Sequence, residues 1–137
     1  MESAEGARVL VCDDTPSIRR LIRVNLELEG YLVEEAEDGR EAVARLIDPD
    51  RPSPDVVLLD AHMAPHDGWW AIAAIRSHPP MDQVPVVLVS AALHGLDLKE
   101  VMGHGFDAVL PKPFDPDDLL SLVSRMVDLR RASALPQ

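Results

Sequence analysis

Short apolar runs alternate along the chain with segments in which apolar residues recur at helical spacing. The runs are nearly continuous, which is typical of strands buried on both faces of a sheet. The second run is more mixed, as an outer strand would be. The five runs cover residues 8–12, 31–36, 55–60, 84–90 and 106–110, and the helical segments cover 16–29, 41–47, 69–77, 95–102 and 116–131.

Capping residues mark where the predicted helices begin and end. Thr15 can cap the first helix, Pro16 suits its first position, and Gly30 suits its C-terminal end. The last helix starts in the same manner at Asp115 and Pro116. Strands that alternate with helices need crossover connections, and these are right-handed. The pattern therefore predicts an α/β fold, a doubly wound parallel sheet of five strands with five helices on its two faces.

Composition narrows the class of protein. The 137 residues suffice for one domain, which we expect to span 7–129, between an N-terminal tail (1–6) and a C-terminal tail (130–137) frayed from residue 132. A net charge of −11 repels phosphates, so this domain should not bind nucleic acid. The single cysteine excludes an internal disulfide. No signal-peptide pattern and no apolar stretch of membrane-spanning length occur, so we expect a cytoplasmic protein without a membrane partner.

Polar side chains stand at the ends of four of the predicted strands. Asp13 and Asp14 follow the first strand, Asp60 ends the third, Ser90 ends the fourth, and Lys112 follows the fifth. The carboxyl ends of parallel strands share one edge of the sheet, where ligands bind in such folds. We therefore expect these side chains to converge.

The chemistry of this set points to a phosphoryl group. Three carboxylates in one cleft repel each other unless a cation lies among them, and an all-oxygen ligand set favours Mg²⁺. Lys112 adds a point charge for an anion. Metal, ammonium and hydroxyl together can neutralise phosphoryl oxygens. A carboxylate can accept the group as an acyl phosphate, and Asp60, at the end of the central strand, is the natural nucleophile.

Over about residues 7–128 the chain resembles the receiver domains of response regulators, the chemotaxis-type module of two-component signalling. The resemblance implies a flavodoxin-like receiver fold with strand order 2-1-3-4-5. It also implies a signalling phosphoacceptor that catalyses only its own phosphorylation and dephosphorylation. The motifs that carry it, in order, are Asp13-Asp14, Asp60, the loop from Met63 to Asp67-Gly68, Ser90-Ala91, and Lys112-Pro113-Phe114.

The same resemblance implies the partner and the metal. Asp60 accepts a phosphoryl group from a sensor histidine kinase or a histidine phosphotransfer protein. Mg²⁺ or Mn²⁺ binds to Asp14, Asp60 and the main-chain carbonyl of His62, while Asp13 acts on the metal, often through water. Since the chain ends after the fifth helix, we expect a stand-alone receiver whose signal leaves through contacts with an unidentified downstream protein.

Lys112 and Ser90 complete the implied site. The lysine holds one phosphate oxygen, the hydroxyl closes onto another, and the bond from Lys112 to Pro113 is cis. By resemblance, phosphotransfer partners dock on the first helix. The arginines of that helix either steer an acidic partner or form its solvated face, and we favour the first interpretation; they are Arg19, Arg20 and Arg23.

The chain departs from the family pattern at the switch. Val109 stands where the family has an aromatic residue, three positions before the lysine, which predicts weak coupling between phosphorylation and the distal face. Phe106 is expected to be a core residue. His62 and Ala92 lie two positions after the phosphoacceptor and the hydroxyl, on the path of the hydrolytic water in the family, which leaves the lifetime of the phosphorylated state open.

Other interpretations of these residues remain open at this stage. The fold could be a pseudo-receiver, an interaction module that signals without phosphorylation. A phosphatase on a similar sheet would need a second acid where His62 stands. His62 and His66 could bind a transition metal, although the oxygen set suits Mg²⁺ better. Cys12 lies inside a buried strand and is expected to be a core residue rather than a nucleophile.

Overall fold

The computed structural model describes residues 6–81, 83–91 and 97–134. Its strands form one parallel sheet in the order β2-β1-β3-β4-β5, which confirms the predicted architecture. The strands are β1 (Arg8–Cys12), β2 (Leu32–Ala36), β3 (Val56–Asp60), β4 (Val86–Ser90) and β5 (Ala108–Pro111). The helices are α1 (Pro16–Leu28), α2 (Gly39–Ile47), α3 (Gly68–Arg76), α4 (Leu98–Gly103) and α5 (Pro116–Ala134), and a 3₁₀ turn covers Pro79–Met81.

Two apolar layers cover the sheet. One layer packs between one face of the sheet and helices α2, α3 and α4, through residues such as Leu46, Ile72 and Val101. The other layer packs between the opposite face and helices α1 and α5, through residues such as Ile22 and Leu119. All positions of β3 and β4 are buried between these layers, which accounts for their continuous apolar runs. Among the described helices, none combines the length and apolar character needed to cross a membrane.

Capping differs in detail from the sequence prediction at two helices. Thr15 stands at the N-cap of α1, but its side chain makes no capping hydrogen bond. Gly30 ends that helix with a φ of 91°, the left-handed conformation that glycine tolerates best. Helix α2 begins two residues earlier than predicted, since the Asp38 side chain accepts a hydrogen bond from the Glu41 N–H and so caps the helix at Gly39.

Element boundaries also differ near the last strands. β4 begins at Val86 rather than at residue 84, and β5 begins at Ala108 rather than at 106. The Asp107 carboxylate accepts the Val86 N–H at 2.9 Å, so a side chain rather than a ladder partner satisfies the first donor of β4. Helix α4 is described from its cap at Asp97 onward, and the part predicted at 95–96 lies outside the described residues, as does Ala92.

The last helix extends beyond its predicted end at residue 131, so residues 132–134 are helical rather than frayed. Helix α5 reaches Ala134. Arginine and alanine are good helix formers, and the first residue that cannot continue a helix is Pro136. Residues 135–137 lie outside the described part of the chain.

Candidate functional site

The strand register aligns the predicted site residues at one edge of the sheet. Asp60 lies opposite Val89, one residue before Ser90. The Lys112 N–H donates to the carbonyl of Ser90 at 2.9 Å, and the Asp13 N–H donates to the carbonyl of Ala36 at 3.2 Å. These bonds continue the hydrogen-bond ladders past the strand ends. They hold the backbone of Asp13 and Lys112 at this edge of the sheet.

Three carboxylates meet at this edge. One oxygen each from Asp13, Asp14 and Asp60 lie within 4.8 Å of one another. Asp13 and Asp60 are buried, with 1% and 6% exposure, whereas Asp14 is exposed. The cluster is therefore closed on the protein side and open to solvent at Asp14. It is also the single such group found among the residues that the structure describes.

The Lys112 ammonium bridges the two buried carboxylates. Its Nζ lies 2.9 Å from Asp13 Oδ2 and 3.3 Å from Asp60 Oδ2. The second oxygen of each carboxylate accepts from the backbone, Asp13 Oδ1 from Thr15 at 2.9 Å and Asp60 Oδ1 from His62 at 3.3 Å. Three negative charges against one positive charge leave a surplus of two, which is the charge of a single divalent cation.

The pKa values of Asp60 and Lys112 are both shifted upward, for different reasons. Desolvation is the main cause for Asp60, the charge of Asp13 adds to it, and Lys112 and the His62 N–H oppose the shift without cancelling it. For Lys112, burial alone would lower the pKa, but the hydrogen bond and charge of Asp13, together with the charge of Asp60, raise it above its usual value. Lys112 therefore stays an ammonium at neutral pH.

These donors fit a magnesium ion. The three converging side chains supply hard oxygen ligands and no nitrogen or sulfur, the set that Mg²⁺ prefers. The exposed Asp14 leaves a path by which a hydrated ion can enter. Neither His62 nor His66 belongs to the group, and the His66 ring instead packs on Trp70 with 4.4 Å between centroids. The transition-metal hypothesis thus gains no support from the described residues.

Ser90 is buried at the end of β4, with 1% exposure. Its place beside Lys112 in the sheet puts a hydroxyl at the same edge as the three acids. The Lys112–Pro113 bond that follows is cis, as the resemblance implies, and the Ala64–Pro65 bond, which we did not predict, is cis as well.

Helix α3 starts in close contact with the strand that carries Asp60. The Gly68 N–H donates to the carbonyl of Ala61 at 3.2 Å. A Cβ at Gly68 would lie 2.5 Å from the carbonyl oxygen of Asp60, so no larger residue fits without a shift of backbone. Asp67 caps the helix by accepting the Trp70 N–H at 2.9 Å. The Asp67-Gly68 pair therefore ties this helix to the site.

Both interpretations of the α1 arginines place Arg19 on an exposed face, but its side chain turns inward. Its side chain is only 12% exposed, and its Nε lies 2.7 Å from Glu35 Oε1. Its Nη1 donates to the main-chain carbonyl of Asp13 at 2.7 Å. Arg23 also pairs with Glu35, whereas Arg20 is exposed. Helical spacing placed all three arginines near the site but could not show which one turns inward.

Two further predictions concern residues near the site. Cys12 is 1% exposed, burial raises the pKa of its thiol, and its Sγ lies 3.1 Å from the carbonyl of Asp38, so the core assignment is confirmed. Phe106 is also in the core, at 3% exposure, with its ring 5.6 Å from that of Trp69. Val109 packs partly buried against the same layer.

Comparison with known proteins identifies the same module. The family model described as the response regulator receiver domain matches residues 9–124. The DNA-binding dual master transcriptional regulator RpaA of Synechocystis is 32% identical over 130 residues, which cover 95% of this chain and 52% of that protein. The chain thus spans about half the length of curated relatives such as this one.

Solved structures share the fold, and one of them holds magnesium. The receiver domain of the sensor histidine kinase PA1611 of Pseudomonas aeruginosa, solved with magnesium in its active-site cleft, is 27% identical with a TM-score of 0.80, over 90% of this chain and 98% of that one. The chemotaxis response regulator CheY4 of Vibrio cholerae is 31% identical with a TM-score of 0.79, over 88% and 98%.

Proposed function

The chain belongs to the response regulator receiver domain family, and we propose that it accepts a phosphoryl group on Asp60 from a histidine kinase or a histidine phosphotransfer protein. The observation that supports this most strongly is the arrangement around Lys112. Its ammonium bridges Asp13 and Asp60 while Asp14 opens the cluster to solvent. This arrangement offers a nucleophile, a cation for an anionic group and a place for a metal.

The acid cluster would hold the metal. Asp14, Asp60 and the main-chain carbonyl of His62 are the proposed ligands of Mg²⁺ or Mn²⁺, with Asp13 acting through water. When bound, the cation neutralises charge on the phosphoryl oxygens. Its two charges would also offset the surplus that Lys112 leaves among the carboxylates.

The proposed step is a displacement at phosphorus. A carboxylate oxygen of Asp60 forms a bond to the phosphorus of the donor's phosphohistidine while the P–N bond breaks and its electron pair stays on the imidazole. The imidazole then takes a proton from solvent. Burial and the charge of Asp13 raise the pKa of Asp60, which makes its carboxylate more basic than that of an ordinary aspartate.

Lys112 and Ser90 are proposed to hold the product. Once Asp60 is phosphorylated, Lys112 can move its hydrogen bond from the Asp60 oxygen to a phosphate oxygen. The buried Ser90 hydroxyl can donate to another. The protein would then act as a signalling phosphoacceptor whose output is a change in protein contacts.

Phosphorylation itself tests the proposal. The full chain is incubated with Mg²⁺ and a small phosphodonor such as acetyl phosphate, and its intact mass is followed. We expect one phosphate to be added to the wild type, none to Asp60→Asn, and none to the wild type in excess chelator. A wild type that binds Mg²⁺ and stays unmodified with small donors and with histidine kinases would contradict it.

The alternative is a pseudo-receiver on the same fold, motivated by Val109. It predicts that a binding partner has equal affinity for the wild type and Asp60→Asn, with or without a phosphodonor. Phosphorylation-dependent affinity would exclude it. The stand-alone arrangement and the cytoplasmic location stay predictions from the sequence.

A further inference from the structure

Arg19 joins three segments beside the acid cluster. From α1 its guanidinium donates to the carbonyl of Asp13 at 2.7 Å, pairs with Glu35 of β2 at 2.7 Å, and lies 4.0 Å from Glu37. The side chain is nearly buried, with 12% exposure. A guanidinium can hold several acceptors at once because its N–H groups are fixed in a plane.

We infer that Arg19 is a positioning residue for the metal, an inference that rests on the proposed function. The turn between β1 and α1 carries two of the three acids. The Asp13 N–H is held by Ala36, its Oδ1 by Thr15, and its Oδ2 by Lys112. Its carbonyl is held by Arg19.

The peptide from Asp13 to Asp14 is the part of this turn that Arg19 controls. Its carbonyl belongs to Asp13 and its N–H to Asp14, so fixing the carbonyl fixes the plane from which the Asp14 side chain starts. Asp14 is exposed, in contrast to its two buried companions. Its approach to them therefore depends on the backbone, and Arg19 ties that backbone to β2.

The positive charge of Arg19 and its positioning role have opposite effects on the affinity for Mg²⁺. A guanidinium near the cluster repels Mg²⁺, so its removal should tighten metal binding if charge were its only influence. Loss of positioning should weaken binding, and loss of a group behind a metal ligand typically costs 10–100-fold in affinity. The sign of the change therefore separates the two roles.

The experiment measures Mg²⁺ affinity by calorimetry in the full chain, with Arg19→Gln, Arg19→Lys and the control Arg23→Gln. Arg23 is on the same helix and also pairs with Glu35, but it has no bond to Asp13. We expect roughly 10-fold weaker binding for both Arg19 variants, since a lysine ammonium keeps the charge but cannot span both acceptors. Arg23→Gln should bind as the wild type does, or slightly more tightly.

A double-mutant cycle tests whether Arg19 acts through Asp14. Arg19→Gln should cause little further loss in an Asp14→Asn background. The inference would be overturned if Arg19→Gln bound Mg²⁺ as tightly as the wild type or more tightly. It would also be overturned if Arg19→Gln lowered Mg²⁺ affinity as much in the Asp14→Asn background as in the wild type. Both outcomes leave the phosphoacceptor proposal intact. If Arg19→Gln does not fold by circular dichroism, Arg19→Lys alone decides. A wild type that fails to bind Mg²⁺ would instead overturn the proposed function.

Discussion

The two buried carboxylates of the site are each satisfied on both oxygens. One oxygen accepts a backbone N–H and the other accepts from the same ammonium, that of Lys112. Lys112 is thus a structural residue in addition to its proposed part in binding phosphate. Removing one partner from a buried ionic group leaves an uncompensated charge, which costs more than the pair itself contributes.

Lys112→Met should therefore destabilise the protein and strengthen its affinity for Mg²⁺. We expect the free energy of unfolding in urea to fall by about 3 kcal/mol without metal, and millimolar Mg²⁺ to restore much of the loss because the ion replaces the missing charge. Lys99→Met, at an exposed position of α4, is the matched control and should change neither quantity. A loss that Mg²⁺ does not reduce would show that the ion and Lys112 do not share these carboxylates.

Asp60→Asn should raise stability at neutral pH. Burial and the charge of Asp13 raise the pKa of Asp60 in the folded state above its unfolded value, so its ionisation opposes folding. The contribution of Asp60 to stability is fully present at pH values below its pKa in the unfolded chain. It is lost as the pH rises through its higher pKa in the folded protein. We expect a melting temperature a few degrees above that of the wild type at pH 7 without metal.

The gain should shrink as the solution is made acidic, since wild-type Asp60 then becomes neutral too. Asp50→Asn, which removes an exposed carboxylate, should show no such gain. A lower melting temperature for Asp60→Asn than for the wild type across this pH range would contradict the account of the electrostatics.

The site residues were predictable from the sequence because their positions follow from the topology of the sheet. An acid or hydroxyl at the end of a buried strand must lie at the carboxyl edge of a parallel sheet. The placement of Asp13, Asp60 and Ser90 could therefore be predicted without knowledge of side-chain geometry. The direction in which Arg19 turns depends on a rotamer and on an acceptor in β2. Such choices are set by tertiary packing and leave no periodic signal in the chain.

At the level of elements, the start of α3 lies in close contact with β3, the strand that carries Asp60. Gly68→Ala would bring a Cβ within 2.5 Å of the Asp60 carbonyl oxygen. We expect a loss of about 1–3 kcal/mol in urea unfolding, because backbone must shift to relieve the contact. Gly103→Ala meets nothing within 4 Å and lies in α4, so it should be neutral or slightly stabilising. Equal effects of the two substitutions would contradict this packing.

β5 is the element expected to couple weakly to the site. Val109 is β-branched, so it has few rotamers, and it borders a cavity of about 470 Å³ between β5 and α5 that Leu122 and Arg125 also line. We expect a beryllofluoride phosphate mimic to shift backbone amide NMR signals near Asp60 and Lys112 but to change those of Leu122 and Arg125 little. Large shifts on α5 would show that another element carries the coupling.

Element type was predictable and element ends were less so. Continuous apolar runs mark β3 and β4 because both faces are covered. The start of β4 depends on the Asp107 carboxylate, which is 21 residues away in the chain. The extent of α5 depends on how far its helix formers run before Pro136. The periodicity of apolar residues predicts the middle of an element. The ends are set by capping residues and by partners that lie far away in the chain.

For the molecule as a whole, alternation of strands and helices was enough to predict a parallel sheet with two covered faces. The strand order followed from the family resemblance, since crossover rules alone allow several orders. The observed order places β3 at the centre, with β1 and β4 beside it, and these three strands bring Asp13, Asp60 and Ser90 together. The fold thus explains why residues far apart in the chain form one site.

Locating the phosphoryl group within the chain distinguishes Asp60 from every other acceptor at this edge. The phosphorylated protein is treated with borohydride, which reduces an aspartyl phosphate to homoserine, and its peptides are sequenced by mass spectrometry. We predict homoserine at position 60 and at no other aspartate, in amounts that depend on Mg²⁺. Homoserine at Asp13 or Asp14, or a stable phosphate on Ser90 or His62 with Asp60 unchanged, would contradict the assignment of Asp60 as the nucleophile.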